Sequence, residues 1–323
     1  MTDMPSSLIA TLALKRLAAT PAYREMFLAC ASLRDFLRPA ALRYIISEDR
    51  AQMLDKLAAL QLKGYRTGLE YVGEEANTLA EVQQATEEYL RLIDAMSSHG
   101  GLQEPTQLGF DLSNVGSLIS RELALENCNR ILARAAERSV GVIISMERSQ
   151  WTDSILDIFL ALSRQHSHLG ITLQAQLNRT ADDLEDVLKT GCKVRLVKGV
   201  YSEPAAVALP RGEALDQRYL GLLERIRGAG IAYAFATQDP SLVQTICASG
   251  LADGGELEML HGVRPQLIKS VKDQGRVKTR VSAVYGTNWY LHLLHRIAEF
   301  PENIFLALDD VASKRQSTTA ASY

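Results

Sequence analysis

The run Arg195-Leu196-Val197-Lys198-Gly199-Val200-Tyr201 sets two cations and a phenol into an otherwise apolar stretch. A cation at the end of an apolar strand must meet an anion: a carboxylate, a phosphate, or a cofactor that turns negative on reduction. Arg195 and Lys198 are three positions apart, so a straight strand sends them to opposite faces. They share a face only if the chain bends near Gly199. A purely structural ion pair is the equally simple reading of Arg195. Lys198 also admits Schiff-base lyase chemistry, which needs a free amine. Near the end of the chain Trp289, His292, His295, Arg296 and Glu299 recur at three- and four-residue spacing, which places them on one helical face. Two histidines at i, i+3 suit a metal, but no third ligand stands at a diagnostic spacing, so no metal is expected.

Such residues need a scaffold that brings distant segments to one place. Apolar residues at helical spacing over 8–19, 21–37 and 48–63, punctuated by Pro21 and Pro39, predict a helical first 65 residues. The pattern then changes. Short β-rich runs occur at 67–74, 106–112, 140–147, 169–176, 193–199, 231–237, 256–261 and 278–285. Each is followed by an amphipathic stretch: 77–98, 117–138, 151–166, 180–190, 214–229, 239–249, 264–274 and 288–300. The clearest helix start is Thr180-Ala181-Asp182-Asp183, where the hydroxyl is expected to accept from a free amide and the acids suit the helix dipole.

Eight strand-then-helix units predict an α/β chain folded as a (β/α)8 TIM-type barrel. A doubly wound sheet is the alternative, and neither GxGxxG nor GxxxxGK[ST] follows any strand to support it. The expected organisation is a helical arm or cap over 1–65, the barrel over 66–305 and a tail over 306–323, its last residues disordered. Barrel chemistry sits at strand C-termini. That rule selects Glu74, Glu75, Asp111, Ser113, Ser145, Glu147, Gln174, Gln176, Arg195, Lys198, Tyr201, Thr237, Gln238, Glu258, His261, Ser282 and Tyr285.

Composition narrows the partners. The 323 residues are 47% hydrophobic and 23% charged, with a formal net charge of −3 and no long run of like charge, which argues against nucleic acid. No apolar stretch approaches the roughly 18–20 residues that cross a bilayer. Met1–Ala10 lacks the basic and apolar regions of a signal peptide. Cys30, Cys128, Cys192 and Cys247 lie far apart with no CxxC pair, as reduced thiols would. A cytoplasmic location is expected, with peripheral attachment at the inner face of the membrane left open.

At RLVKGVY the chain resembles the proline dehydrogenase family, the FAD-dependent barrels also found as the first catalytic domain of PutA-type proteins. The resemblance runs in order over roughly 66–305 through LEYVGE, GITLQAQLNRTADDLE, RLVKGVYSEP, FATQD, EMLHGVR and YGTNWYLHLLHRIAE. It implies the barrel, bound FAD and a monofunctional enzyme. By position, Arg195 matches the arginine beside the reactive flavin nitrogen, and Gln174 the glutamine that hydrogen-bonds the ring. Lys198, Thr237 and Gln238 fall where the family contacts flavin phosphates and adenosine, with Gln238 replacing a histidine. Tyr201 matches an active-site tyrosine, and Glu258 and Leu260 fall on the seventh-strand flavin motif.

The substrate half departs from the family. The lysine that holds the proline carboxylate reads Asp111, and the adjacent arginine pair on the last helix reads His295-Arg296, with Glu299 retained. The tyrosine one turn earlier reads His292. An aspartate on the third strand and a tyrosine on the eighth read Ser145 and Ser282. The pocket therefore loses roughly two to three units of positive charge, depending on His295. A proline carboxylate 4 Å from an ionised Asp111 would be repelled by about 1–4 kcal/mol.

These substitutions imply a flavin amine or imino-acid dehydrogenase with Arg195, Tyr201, Arg296 and Glu299 in catalytic roles. Hydride would pass from a carbon next to nitrogen to flavin N5, giving an imine. The expected substrate is a modified amino acid or amine conjugate in specialised metabolism rather than free L-proline. Quinone, oxygen or another carrier would accept the electrons, and the oligomeric state stays open. Ordinary L-proline oxidation to 1-pyrroline-5-carboxylate and a non-catalytic flavin-binding partner subunit are the alternatives.

Overall fold

The computed structural model of the chain describes residues 6–73, 75–300, 302–313 and 322–323. Candidate Glu74 and the expected disorder of 314–321 fall outside them. Four helices come first: α1 (Ser6–Ala19), α2 (Pro21–Ala29), α3 (Ala31–Ala41) and α4 (Arg50–Leu62). The stretch expected as one helix over 21–37 is two, because Cys30 is extended between α2 and α3. Pro39 does not end a helix before it; it lies inside the last turns of α3.

Eight strands follow: β1 (Arg66–Tyr71), β2 (Gln107–Phe110), β3 (Val142–Ile144), β4 (Leu169–Gln174), β5 (Lys193–Val197), β6 (Tyr233–Ala236), β7 (Glu256–Leu260) and β8 (Lys278–Tyr285). Between them run α5 (Leu79–Ser98), α6 (Arg121–Glu137), α7 (Thr152–Ser163), α8 (Thr180–Leu188), α9 (Glu213–Gly228), α10 (Pro240–Ala248) and α11 (Pro265–Asp273). α12 (Tyr290–Glu299) and α13 (Asn303–Ser313) end the order. Each strand pairs in parallel with its sequence neighbours, and β8 closes on β1, with Ser282 level with Gly68. The (β/α)8 expectation holds. The reason is visible in strands such as β3 and β4, which are buried along their whole length and so need helices outside and side chains inside.

Local chemistry sets the helix starts. Thr78 and Glu81 form a reciprocal capping box on α5, and Asp239 accepts from two amides at the start of α10. The expected Thr180 cap is absent. Its buried hydroxyl instead donates to the Gln174 carbonyl at 2.6 Å, tying α8 back to the end of β4. Asp182 and Asp183 do occupy the first turn, where Arg179 pairs with Asp183 at 2.7 Å.

The barrel interior carries charge as well as hydrocarbon. Arg280 donates to Glu256 at 2.9 Å, and Lys193 also contacts that carboxylate. Burial would raise the Glu256 pKa, yet Arg280 and Lys193 pull it down to about 2. α4 covers the outer wall at β1 and β8, while a second apolar cluster unites α1–α3 with α12 and α13. Gly262 permits that junction: a Cβ there would stand 1.8 Å from the Arg43 carbonyl oxygen, at a φ of +78°.

The end of the chain corrects an expectation. Tyr323 is not loose; it is 6% exposed, stacks on His261 and accepts from the Gly262 amide at 2.8 Å. All four cysteines are free thiols. Among the described residues no helix is long and apolar enough to cross a membrane.

Candidate active site

A cavity of about 950 Å³ opens at the C-terminal ends of the strands. Asp111, Ser145, Gln174, Arg195, Lys198, Tyr201, Thr237, Gln238, Glu258, Leu260, Ser282, His292, His295, Arg296 and Glu299 all line it. The strand-end rule nevertheless selects too widely, since Gln176, His261 and Tyr285 lie off the cavity. Trp289 also parts from its helical neighbours. It is buried against Phe27 and donates to Glu48 at 2.7 Å.

Arg195 and Lys198 reach the same cavity because β5 ends at Val197 and Gly199 turns with φ +113°. The structural ion pair foreseen for Arg195 exists. Its guanidinium donates to Glu70 of β1 at 2.8 Å, Glu258 of β7 at 3.0 Å, Thr172 at 2.8 Å and Ser145 at 3.1 Å. At 8% exposure, burial opposes its charge, and the two carboxylates reverse that, raising its pKa. Ser282 also donates to Glu258 at 3.0 Å, so this carboxylate joins β5, β7 and β8. Lys198 contacts Asp239 at 2.8 Å and Asp216. Its amine is thus engaged by two carboxylates rather than left free, as the lyase idea would need.

The β1–β3 side of the cavity is acidic. Half-buried Asp111 has its pKa raised well above the ordinary value by burial and then by Glu147 and Glu70, against the pull of Arg195. Glu147 is raised too, chiefly by burial, although it accepts from the Ser113 amide at 3.1 Å. Tyr201 is likewise pushed up by burial and by Asp111. On α12, burial and then Arg296 bring His295 down to about 4, so it is neutral near pH 7. His292 is lowered for the same first reason. Arg296 pairs with Glu299 at 2.8 Å. Neither Asp111 nor His295 therefore supplies the positive charge of the family's clamp, and the raised pKa of Asp111 opposes a full negative charge in its place.

Sequence reasoning missed Glu70, Thr172, Arg148 and Lys15. Glu70 and Thr172 could have been found as side chains alternating on the inward faces of their strands. Lys15 carried no signal, because only the packing of α1 against α12 brings it to the cavity.

The model for proline dehydrogenase matches residues 53–299. The chain belongs to the proline dehydrogenase family. Proline dehydrogenase 1 of Bacillus subtilis is 30% identical over 282 residues, covering 86% of this chain and 92% of that protein. Proline dehydrogenase of Deinococcus radiodurans is 30% identical over 271 residues, covering 81% and 86%. Among solved structures, proline utilization A from Bdellovibrio bacteriovorus superposes with a TM-score of 0.74 at 19% identity, which supports the fold. That match covers 88% of this chain but 34% of the larger protein, so the chain spans about a third of it.

Family membership makes this proline dehydrogenase relative a flavin-dependent oxidoreductase acting on CH–NH bonds, with FAD as cofactor. It acts on a small proline-like molecule and passes electrons to an acceptor. The cavity fits such a cofactor. Its volume lies at the upper end of the roughly 300–1,000 Å³ usual for small-molecule sites. Around it, Gln238 Oε1, Glu258 Oε2, His292 Nε2 and Arg296 Nε are buried without a hydrogen-bond partner among the described residues. An unmatched buried polar atom costs about 1–3 kcal/mol, so a polar ligand there is favoured.

Proposed function

We propose that Gln174, Arg195, Lys198, Thr237, Gln238, Glu258 and Leu260 hold FAD, and that Arg195, Tyr201, Arg296 and Glu299 serve the reaction. Asp111, Ser145, Ser282, His292, His295, Arg296 and Glu299 then form the substrate pocket. FAD, when bound, supplies a two-electron acceptor for the C–H bond next to a substrate nitrogen, leaving an imine. The protein's part is placement and charge. Glu70 and Glu258 fix the Arg195 guanidinium so that it needs no reorganisation to meet developing negative charge. Tyr201 stays protonated at neutral pH and remains a hydrogen-bond donor.

The substrate we propose is an amine or modified amino acid other than free L-proline. The observation that carries this is that Asp111 and Glu147 line the cavity while His295, lowered to about 4, brings no positive charge to it near pH 7. A carboxylate placed as in proline would meet Asp111, and Arg296 is engaged by Glu299. An amine nitrogen facing Asp111 instead gains an acceptor. A role in specialised metabolism, with a quinone, oxygen or another carrier as acceptor, is part of this proposal.

The second reading, oxidation of L-proline itself with Arg296 holding the carboxylate, draws on what the relatives' names say of them. An anaerobic titration followed by visible absorbance separates the two. Bleaching of bound flavin by cyclic, acyclic or N-substituted amines but not by L-proline is expected. Ready bleaching by L-proline would overturn the proposed substrate, and purified protein with no flavin band would overturn the cofactor assignment.

The organisation into a helical cap over 1–65, a barrel over 66–305 and a tail over 306–323 is proposed with one functional reading. The cap is part of the site, since Thr11, Lys15 and Ala18 of α1 line the cavity.

A further inference from the structure

The cavity's cations differ in how firmly protein carboxylates hold them. Arg195 and Lys198 each have two acidic partners, and Arg296 has Glu299 at 2.8 Å. Arg148, in the loop after β3, has among the described residues only Glu75 as an acidic partner, at 3.9 Å, too long for a strong charge-assisted hydrogen bond. Its side chain is 39% exposed and lines the cavity. Lys15 and Arg211 reach the same rim but bond to the Ser202 hydroxyl and the Gly199 carbonyl, and Arg264 lies over the Phe300 ring, 4.6 Å from its centroid.

The base of Arg148 is held firmly. The amide and hydroxyl of Ser149 both donate to Glu203, at 2.8 and 2.5 Å, strapping this loop to the one that carries Tyr201. The Arg148 guanidinium consequently lies over the Tyr201 ring, 5.5 Å from its centroid. His295 meets the same ring edge-on at 6.1 Å. Guanidinium, phenol and neutral imidazole thus form one wall, and the positive charge on that wall comes from the β3 loop.

We infer that Arg148 is a specificity-determining residue that binds an anionic group, a carboxylate, on the substrate while Asp111 faces its nitrogen. This rests on the reading of the cavity as an amine-oxidising site and deepens it. The substrate class is an amine whose carboxylate is held by the β3 loop rather than by the end of β2. Arginine suits the task because its planar fork can meet both carboxylate oxygens, which an ammonium cannot.

The test uses the flavin-loaded protein and calorimetric titration with a matched pair of probes, pyrrolidine and pyrrolidine-3-carboxylate. Wild type is expected to bind the carboxylate at least about tenfold more tightly, equivalent to about 1.4 kcal/mol. Arg148→Gln should abolish that preference and leave pyrrolidine affinity unchanged, while Arg148→Lys should restore part of it. An unchanged flavin spectrum and melting temperature show that each variant is folded. A wild type without the preference, including one that binds neither probe, overturns the inference, as does a preference that survives in Arg148→Gln. Bleaching of the flavin by L-proline would remove the Asp111 reading alone and leave the Arg148 comparison intact.

Discussion

Asp111 shows how much one residue can change a cavity. Burial and two neighbouring carboxylates raise its pKa, so the folded protein binds a proton there that the unfolded chain releases at lower pH. Stability therefore falls as pH rises from the ordinary aspartate value, about 3.9, through the raised one. Asp111→Asn removes that dependence. Its melting temperature is expected to exceed wild type by more at pH 8 than at pH 5, and an equal difference at both values would refute the assignment. Asp111→Lys should move the pocket toward proline, because it supplies a cation where the present carboxyl group offers none. An increase in L-proline kcat/KM of tenfold or more, read by steady-state kinetics, is expected. At this scale the sequence identified Asp111, Arg195 and His295. The pKa shifts of Asp111 and Arg195 depend on neighbours far along the chain, Glu70, Glu147 and Glu258, while that of His295 comes from burial and then from adjacent Arg296.

Within an element, the turn after β5 decides whether two cations cooperate. Gly199 adopts φ +113°, and a Cβ there would approach Gln176 Cδ to 2.3 Å. Gly199→Ala is strained by both its backbone and its neighbour, at a cost of about 1–3 kcal/mol. The expected result is a displaced Lys198 and Tyr201 with flavin affinity at least tenfold weaker, measured by fluorescence titration. Unchanged affinity would show that the turn does not place these groups. The bend was legible from the spacing of Arg195, Lys198 and Gly199. The Thr180 cap was not, because a carbonyl six residues back took the hydroxyl that local rules assign to an amide.

Across the whole molecule, the barrel floor is held by Glu256 together with Arg280, Lys193 and Arg66. A carboxyl with its pKa near 2 adds stability above the ordinary glutamate range and loses it as pH falls toward 2. Removing this charge leaves buried cations unpaired, so Glu256→Gln should lose about 3–5 kcal/mol at pH 7. Denaturant unfolding at pH 7 and pH 3 checks this, and the loss should shrink at the lower pH. A deficit independent of pH would point to packing rather than charge. The cap belongs to this scale as well, since α1 packs on α12, the helix that follows the closing strand β8.

Periodicity by itself determined the alternation of eight strands and helices, and motif order determined the family. Both are local patterns repeated along the chain, so no tertiary information was needed to see them. Tertiary structure alone decided that Arg195 pairs with Glu70, 125 residues away, and that Arg148 lies over Tyr201. It also decided that Lys15 reaches the cavity and that Tyr323 is buried against His261. Each of these depends on which strands become neighbours when the sheet closes and on which helices fill its mouth. Desolvation and Coulomb interaction act through space, so the raised pKa of Asp111 and the neutrality of His295 exist only once that closure has brought their neighbours within range.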